Sequence, residues 1–199
     1  MLIETLKSAA RGARHLPDRL LHPWRRRSSL RRLARLPGPG TVLFVCHGNI
    51  CRSPYAAAVA RRLLPATVAV ESAGFIDADR PSPPQAITVA GERGLDLSPH
   101  RSQVIELGHV REVDLIVVMD SEQRHRLVSS RPELGGRVVL LGDLDPEPIT
   151  RRTVLDPVEQ PAEVFRSCYD RIDRCVDVLA VLWRAPGGDG TQGQSGKLE

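Results

Sequence analysis

Residues 41–183 switch repeatedly between short apolar runs and longer mixed ones. Thr41–Val45 is a β-branched run that reads as a strand, and residues 54–64 read as a helix stopped by Pro65. A short strand follows at 68–71, then a helical stretch at 84–93 ended by Gly94. Residues 113–119 form an apolar run of the kind expected for a strand buried on both faces. A polar helix at 122–130, a fourth strand at 137–141 and a long closing helix at 162–183 complete the series. Strands alternating with helices predict an α/β fold, a four-stranded parallel sheet with helices on both faces. In such a sheet the ligand crevice lies beyond the carboxyl ends of the strands, so the loop after Val45 is the place to look for chemistry.

Composition changes this picture at the two ends of the chain. The 199 residues are 41% hydrophobic and 26% charged, close to the globular average, which excludes a collagen-like or wholly disordered chain. The longest apolar runs, 115–119 and 178–183, fall far short of the roughly 20 residues of a membrane-spanning helix. The net charge of +4 hides an asymmetry: residues 1–40 hold ten Lys/Arg against two acids, and six arginines crowd into 25–35. Leu2, Ile3, Leu6, Ala9, Ala10 and Ala13 recur at helical spacing, and Trp24, Leu30, Leu33 and Ala34 stand among the arginines. Three readings are open for this stretch: a basic amphipathic segment lying on an anionic membrane surface or an acidic partner, a solvated tail, or an organelle transit peptide. Nucleic acid is not an expected partner, because no basic stripe continues into the core.

Pro37-Gly38-Pro39-Gly40 reads as a linker, and the Gly-, Gln- and Ser-rich residues 186–199 as a disordered tail. The expected organisation is a basic extension with linker (1–40), one domain (41–185) and a tail (186–199). Four cysteines without a signal peptide make no disulfide framework and imply a reducing cytoplasm, peripheral at the membrane if the extension binds lipid.

The loop itself reads Cys46-His47-Gly48-Asn49-Ile50-Cys51-Arg52-Ser53-Pro54. It leaves a strand and enters a helix, with Ser53 suited to cap that helix and Pro54 to occupy its first position. Backbone N–H groups of a loop wrapped this way converge on one anion, assisted by the helix N-terminus. Arg52 adds a bidentate fork for two phosphate-like oxygens. The same field favours a thiolate at Cys46, with the Ser53 hydroxyl near enough to donate to it. A thiolate at the floor of an oxyanion cradle is a nucleophile aimed at phosphorus. Zinc would want more ligands nearby, and no Cys-x-x-Cys pair exists; a nucleotide-binding loop would need Gly-Lys-Ser/Thr, also absent. No motif calls for a metal or an organic cofactor.

Cys46–Pro54 resembles the phosphate-binding loop of the low-molecular-weight protein tyrosine phosphatases. Ser72-Ala73-Gly74, Gly94-Leu95-Asp96-Leu97-Ser98-Pro99-His100 and the strand from Asp114 to Asp120 resemble further elements of that family in the same order. The resemblance implies a phosphotyrosine hydrolase in which Cys46 attacks phosphorus to give a cysteinyl-phosphate. Arg52 would hold the phosphoryl oxygens, and His47, Gly48, Asn49, Ile50, Cys51 and Ser53 would line the rest of the substrate loop. Asn49, Ser53, Ser72 and His100 match the hydrogen-bond network that supports loop and thiolate. Ile50 resembles the tyrosine phosphatases, whereas the family's arginine-phosphatase branch is similar in having Thr there.

Two Asp-Pro pairs, Asp145-Pro146 and Asp156-Pro157, compete as general acid/base, and either can be a simple turn. Asp156 stands just before the closing helix, where the family has its Asp-Pro. Many relatives follow that pair with Tyr, here Val158, and carry an aromatic residue a few positions beyond Ser-Ala-Gly; here Phe75 follows at once. The resemblance therefore implies a cleft with fewer aromatic walls. Cys51 resembles the loop cysteine that, in relatives, forms a reversible disulfide with the nucleophile. Cys168 and Cys175, about 10.5 Å apart by helical rise, are too distant for a disulfide and read as core residues.

Alternatives are an arsenate reductase on the same scaffold, whose extra cysteine pair after the third strand is missing here, and a non-catalytic phosphate-binding module. The implied partner is a tyrosine-phosphorylated protein, such as a bacterial tyrosine kinase.

Overall fold

The computed structural model describes residues 16–36, 38, 40–106 and 108–183. The amphipathic stretch at 2–13 and the tail at 186–199 lie outside the described residues. The elements run α1 (Leu16–Leu33), β1 (Thr41–Val45), α2 (Arg52–Leu63), β2 (Ala69–Ala73), α3 (Pro84–Gly91), β3 (Leu115–Val118), α4 (Ser121–Ser130), β4 (Val138–Leu140) and α5 (Ala162–Trp183). The four strands pair in the order β2-β1-β3-β4, and every neighbouring pair is parallel. The four-stranded parallel sheet with helices on both faces is the architecture that the alternation of runs predicts.

Successive residues of β1 and β3 point to opposite sides, as the two-residue period of a strand requires. Val42, Phe44, Leu115 and Val117 face a core shared with α2, α3 and α5. Leu43, Val45, Ile116 and Val118 face a second core closed by Leu127 of α4 together with Val110, Val113 and Leu134. Burial on both sides is why residues 115–118 carry no polar residue. Helix α5 buries Phe165, Tyr169, Ile172, Val176, Leu179 and Ala180, a spacing that keeps one stripe against the sheet. Tyr169 stacks on Tyr55 of α2 with ring centroids 3.6 Å apart, and the Tyr55 hydroxyl donates to Asp173 at 2.8 Å.

Some boundaries differ from the sequence expectation, each for a local reason. Helix α2 begins at Arg52, two residues earlier than expected, and Ser53 does not cap it. The Ser53 hydroxyl is directed at Cys46 instead, so Pro54 falls inside the first turn, where its missing N–H leaves no helical bond unmade. β3 begins after Asp114, whose carboxylate accepts the N–H groups of Gly40 (2.8 Å) and Thr41 (2.9 Å) and so fixes the entry to β1. Asp120 caps α4 by accepting from Gln123 N at 2.8 Å.

Residues 16–33 are a helix docked on the domain rather than a solvated arm. Leu33 is fully buried in the core, with Leu30 packed beside it. Arg32 donates to the carbonyls of Gly135 and Val138, Arg26 to that of Leu144 and His22 Nε2 to that of Asp145. Asp18 accepts the backbone N–H of Arg152 at 3.1 Å and pairs with Arg25 at 2.7 Å.

Candidate active site

The parallel order β2-β1-β3 places the loop after β1 at the carboxyl edge of the sheet, between the ends of β2 and β3. Cys46 continues β1 by one residue: its N–H donates to Ala73 O at 3.2 Å, which leaves the side chain pointing up from the floor of the loop. Its sulfur accepts from Asn49 N at 3.2 Å and from the Ser53 hydroxyl at 3.0 Å. Both donors are aimed at the sulfur from inside the loop.

Asn49 is the residue on which the loop turns. Its φ of 51° is left-handed, a conformation that asparagine tolerates better than most residues. Four contacts hold it there. The side-chain amide donates to Ser53 Oγ (2.9 Å) and Ser72 Oγ (3.0 Å), Oδ1 accepts from Gln103 N (2.8 Å), and the backbone carbonyl accepts from His100 Nε2 (2.7 Å). Because a carbonyl only accepts, Nε2 of His100 carries the proton. Burial pushes the His100 imidazole below its usual range, outweighing the hydrogen bond to Asn49, so the ring is held neutral. Asn49, Ser53, Ser72 and His100, which the family resemblance names together, are connected by hydrogen bonds around Cys46.

Gly74 makes this loop possible, since a Cβ there would lie 2.8 Å from Asn49 N and 2.9 Å from His47 O. The carbonyl of Gly48 accepts from the Arg80 guanidinium at 3.0 Å, a support that no motif announced.

Arg52 opens α2 and is buried. One guanidinium nitrogen donates to Val154 O at 3.1 Å, the other is ion-paired with Asp156, and Nε has no hydrogen-bond partner among the described residues. Val154 N in turn donates to Met119 O at 2.9 Å, so the segment carrying Asp156 is tied to the end of β3. Asp145 is placed differently. It is buried and paired with Arg171 (2.9 Å) and Arg174 (3.2 Å) of α5, a structural anchor away from the loop. Arg171 also donates to the carbonyls of Thr153 and Arg151, steadying the same segment from below.

Above Arg52 opens a cleft of about 360 Å³ bordered by His47, Phe75, Asp120, Gln123, Arg126 and Asp156. Phe75 is the one aromatic residue among the described residues bordering the cleft, so the aromatic walls are few, as expected. Its N–H donates to His47 O at 2.8 Å, which brings the residue immediately after Gly74 into the cleft, with the Arg126 guanidinium 4.4 Å above the ring. Val158 packs against the main core and is not among the residues bordering the cleft. The sequence signal for Phe75 was its place directly beyond the carboxyl end of β2. Arg126, Gln123 and Thr153 carried no signal, because only the packing of α4 against the sheet and the course of residues 141–161 bring them there. Ile50 is half-buried against the core, and Cys51 is buried, its thiol pushed far up by burial. All four cysteines are free thiols, with Cys168 and Cys175 inside the core as expected.

The arrangement can place a phosphoryl group on the N-terminus of α2 between Arg52 and the sulfur, with a carboxylate at the mouth. Comparison with known proteins agrees with that chemistry. The family model for low molecular weight phosphotyrosine protein phosphatase matches residues 41–185. Over 148 residues, 74% of this chain and 98% of the relative, the chain is 38% identical to the probable low molecular weight protein-tyrosine-phosphatase EpsP of Ralstonia nicotianae. Among solved structures it is similar to Vibrio vulnificus Wzb in complex with benzylphosphonate, at 33% identity and a TM-score of 0.64, covering 71% of this chain and 97% of that one. It is also similar to the YwlE arginine phosphatase from Geobacillus stearothermophilus, at 32% identity and a TM-score of 0.64, covering 72% and 92%.

Proposed function

Because the chain belongs to the low-molecular-weight phosphotyrosine protein phosphatase family, we propose that Cys46, Arg52 and Asp156 divide its reaction among them. The protein is a hydrolase that removes phosphate from phosphotyrosine. In the first step the Cys46 thiolate attacks phosphorus, the S–P bond forms as the P–O bond to the tyrosine breaks, and Asp156 gives the leaving phenolate its proton. In the second step Asp156, now a carboxylate, takes a proton from water; the hydroxide cleaves the S–P bond, releasing phosphate and restoring the thiolate. Arg52 and the first N–H groups of α2 hold the equatorial oxygens through both steps.

The observation that carries this reading is the Cys46 sulfur, which receives the Asn49 N–H and the Ser53 hydroxyl in a loop whose arginine meets Asp156. His47, Gly48, Ile50 and Cys51 complete the substrate loop, and Ser72 and His100 hold it through Asn49. The preference for tyrosine draws support from Phe75 in the cleft and from Ile50. An arsenate-reducing relay has less support, since Cys168 and Cys175 are in the core.

Partners are tyrosine-phosphorylated proteins, and within that class we favour a bacterial tyrosine kinase. No described helix is long and apolar enough to cross a membrane, and the basic extension at 1–40 would bring the domain to an anionic membrane surface from the cytoplasmic side. The test is hydrolysis of p-nitrophenyl phosphate against pH, with EDTA present, for the parent, Cys46→Ser and Asp156→Asn. Loss of turnover in the first variant and a sharp fall in the second are expected. A folded, reduced parent without turnover would refute the catalytic assignment.

A further inference from the structure

The arginines of α1 are divided by the way the helix docks. Arg26 and Arg32 donate to carbonyls of the domain, those of Leu144, Gly135 and Val138, and Arg25 pairs with Asp18 of the same helix. Arg19, Arg27 and Arg31 have no hydrogen bond or ion pair among the described residues, and they border a groove of about 670 Å³ between the helix and residues 146–149. Leu30, Pro23, Pro146 and Ile149 give that groove an apolar lining.

His22 also borders it. The residue is 5% exposed, its Nε2 is engaged by Asp145 O at 3.0 Å, and its Nδ1 is buried without a partner among the described residues. Glu147, the acid on the rim, is taken by Arg174 at 3.3 Å. The groove is therefore cationic at its edge and apolar within. Along the outward face of the same helix Leu16, Leu20 and Trp24 follow at four-residue intervals and are 52%, 70% and 66% exposed.

We propose that this groove is a headgroup site for an anionic phospholipid, with Leu16, Leu20 and Trp24 entering the bilayer interface beside it. The proposal rests on the reading that the extension meets a membrane, and it assigns the atoms that would do so. Three guanidinium groups without a hydrogen bond or ion pair among the described residues, with Arg26 beside them, complement a phosphodiester. The apolar lining suits the glycerol and first acyl carbons, which a free phosphate ion lacks. An interfacial tryptophan and two leucines on one helix face, flanked by arginine, are the composition of a segment that lies in a membrane surface. The opposite face is already satisfied by the domain, so binding needs no refolding.

The test measures co-sedimentation of the full chain with phosphatidylcholine vesicles, with and without phosphatidylglycerol, while following Trp emission. Two paired variants, Arg27→Gln/Arg31→Gln and Leu20→Ser/Trp24→Ser, are compared with the parent, and turnover of p-nitrophenyl phosphate reports that each is folded. The parent should bind only the anionic vesicles. The arginine pair should weaken partitioning about twenty-five-fold, from roughly a factor of five for each basic residue. The Leu/Trp pair should weaken it at least about tenfold. If the parent binds and both variants bind equally well, the groove is not the site although the membrane reading stands. If the parent binds neither vesicle, both fail. If inorganic phosphate or glycerol phosphate shifts the Trp emission while vesicles do not bind, the groove takes a soluble anion and the lipid assignment is overturned.

Discussion

Replacing Asp156 by Asn should slow turnover and tighten the binding of phosphate at the same time. The Asp156 carboxylate sits on the Arg52 guanidinium, the group proposed to grip the phosphoryl oxygens. Substrate binding therefore has to displace one anion by another. The Arg52 side chain is 4% exposed but that of Asp156 is 41% exposed, so the pair is half in water and is worth about 1 kcal/mol or less. Removing the carboxylate's charge lifts that competition, and the inhibition constant of inorganic phosphate should fall by about fivefold. General acid–base help contributes about 10²–10⁴-fold, so kcat should fall by at least about a hundredfold. Both quantities come from one assay, p-nitrophenyl phosphate hydrolysis with increasing phosphate at fixed pH and ionic strength. Phosphate inhibition that stays the same or weakens would show that Asp156 does not compete for Arg52. A fall in kcat of less than about tenfold would remove Asp156 as the proton donor.

Three further outcomes follow from single contacts. Asp145→Asn breaks a buried pairing with Arg171 and Arg174 and should cost about 3–5 kcal/mol in urea unfolding, while turnover per folded molecule stays near the parent's; loss of activity at unchanged stability would contradict the structural role. Gly74→Ala sets a methyl group against Asn49 N and His47 O, which are backbone atoms that cannot swing away. A loss of about 1–3 kcal/mol with a parallel loss of turnover is expected, and a silent variant would show that the loop yields. The third concerns pH. Burial lowers the folded-state pKa of His100 below its unfolded value of 6.5, so the unfolded chain takes up the proton first. The stability of the neutral ring is fully present above that value and is lost as pH falls below it, giving a urea midpoint that declines on acidification. His100→Gln can still donate to Asn49 O and should remove this part of the decline; an unchanged pH profile would refute it.

The sheet was legible because strands buried on both faces must be apolar throughout, and the loop because its chemistry is written in consecutive residues. The network around Asn49 was legible only through family resemblance. Ser72 and His100 lie 23 and 51 residues from Asn49 in the chain, and nothing in their local sequence says that they meet. The choice between Asp145 and Asp156 could be argued from chain order, but its physical basis is tertiary. Arg171 and Arg174 project from α5 onto Asp145, while the bond from Val154 N to Met119 O turns the next segment towards Arg52. Ser53 reads as a cap in the sequence because a serine before Pro ordinarily satisfies a helix start. In this loop the same hydroxyl has a buried sulfur to serve, and the helix begins one residue before it.

Helix α1 shows why an extension can be harder to read than the domain it joins. Most of its polar contacts end on main-chain groups: the carbonyls of Gly135, Val138, Leu144 and Asp145 and the N–H of Arg152. Every sequence offers such groups, so the domain needs no matching side-chain motif to receive the helix, and none could announce it. The relation runs the other way on the helix itself, where arginine, histidine and aspartate must reach those groups. Once they are assigned, the remaining outward residues are not explained by docking. Leu20 and Trp24 are mostly exposed, and Arg27 and Arg31 have no hydrogen bond or ion pair among the described residues, so the four do little to hold the helix down. Their composition must therefore answer to something outside the domain. An anionic bilayer would use both the charge and the apolar surface, whereas a purely solvated face would use only the first.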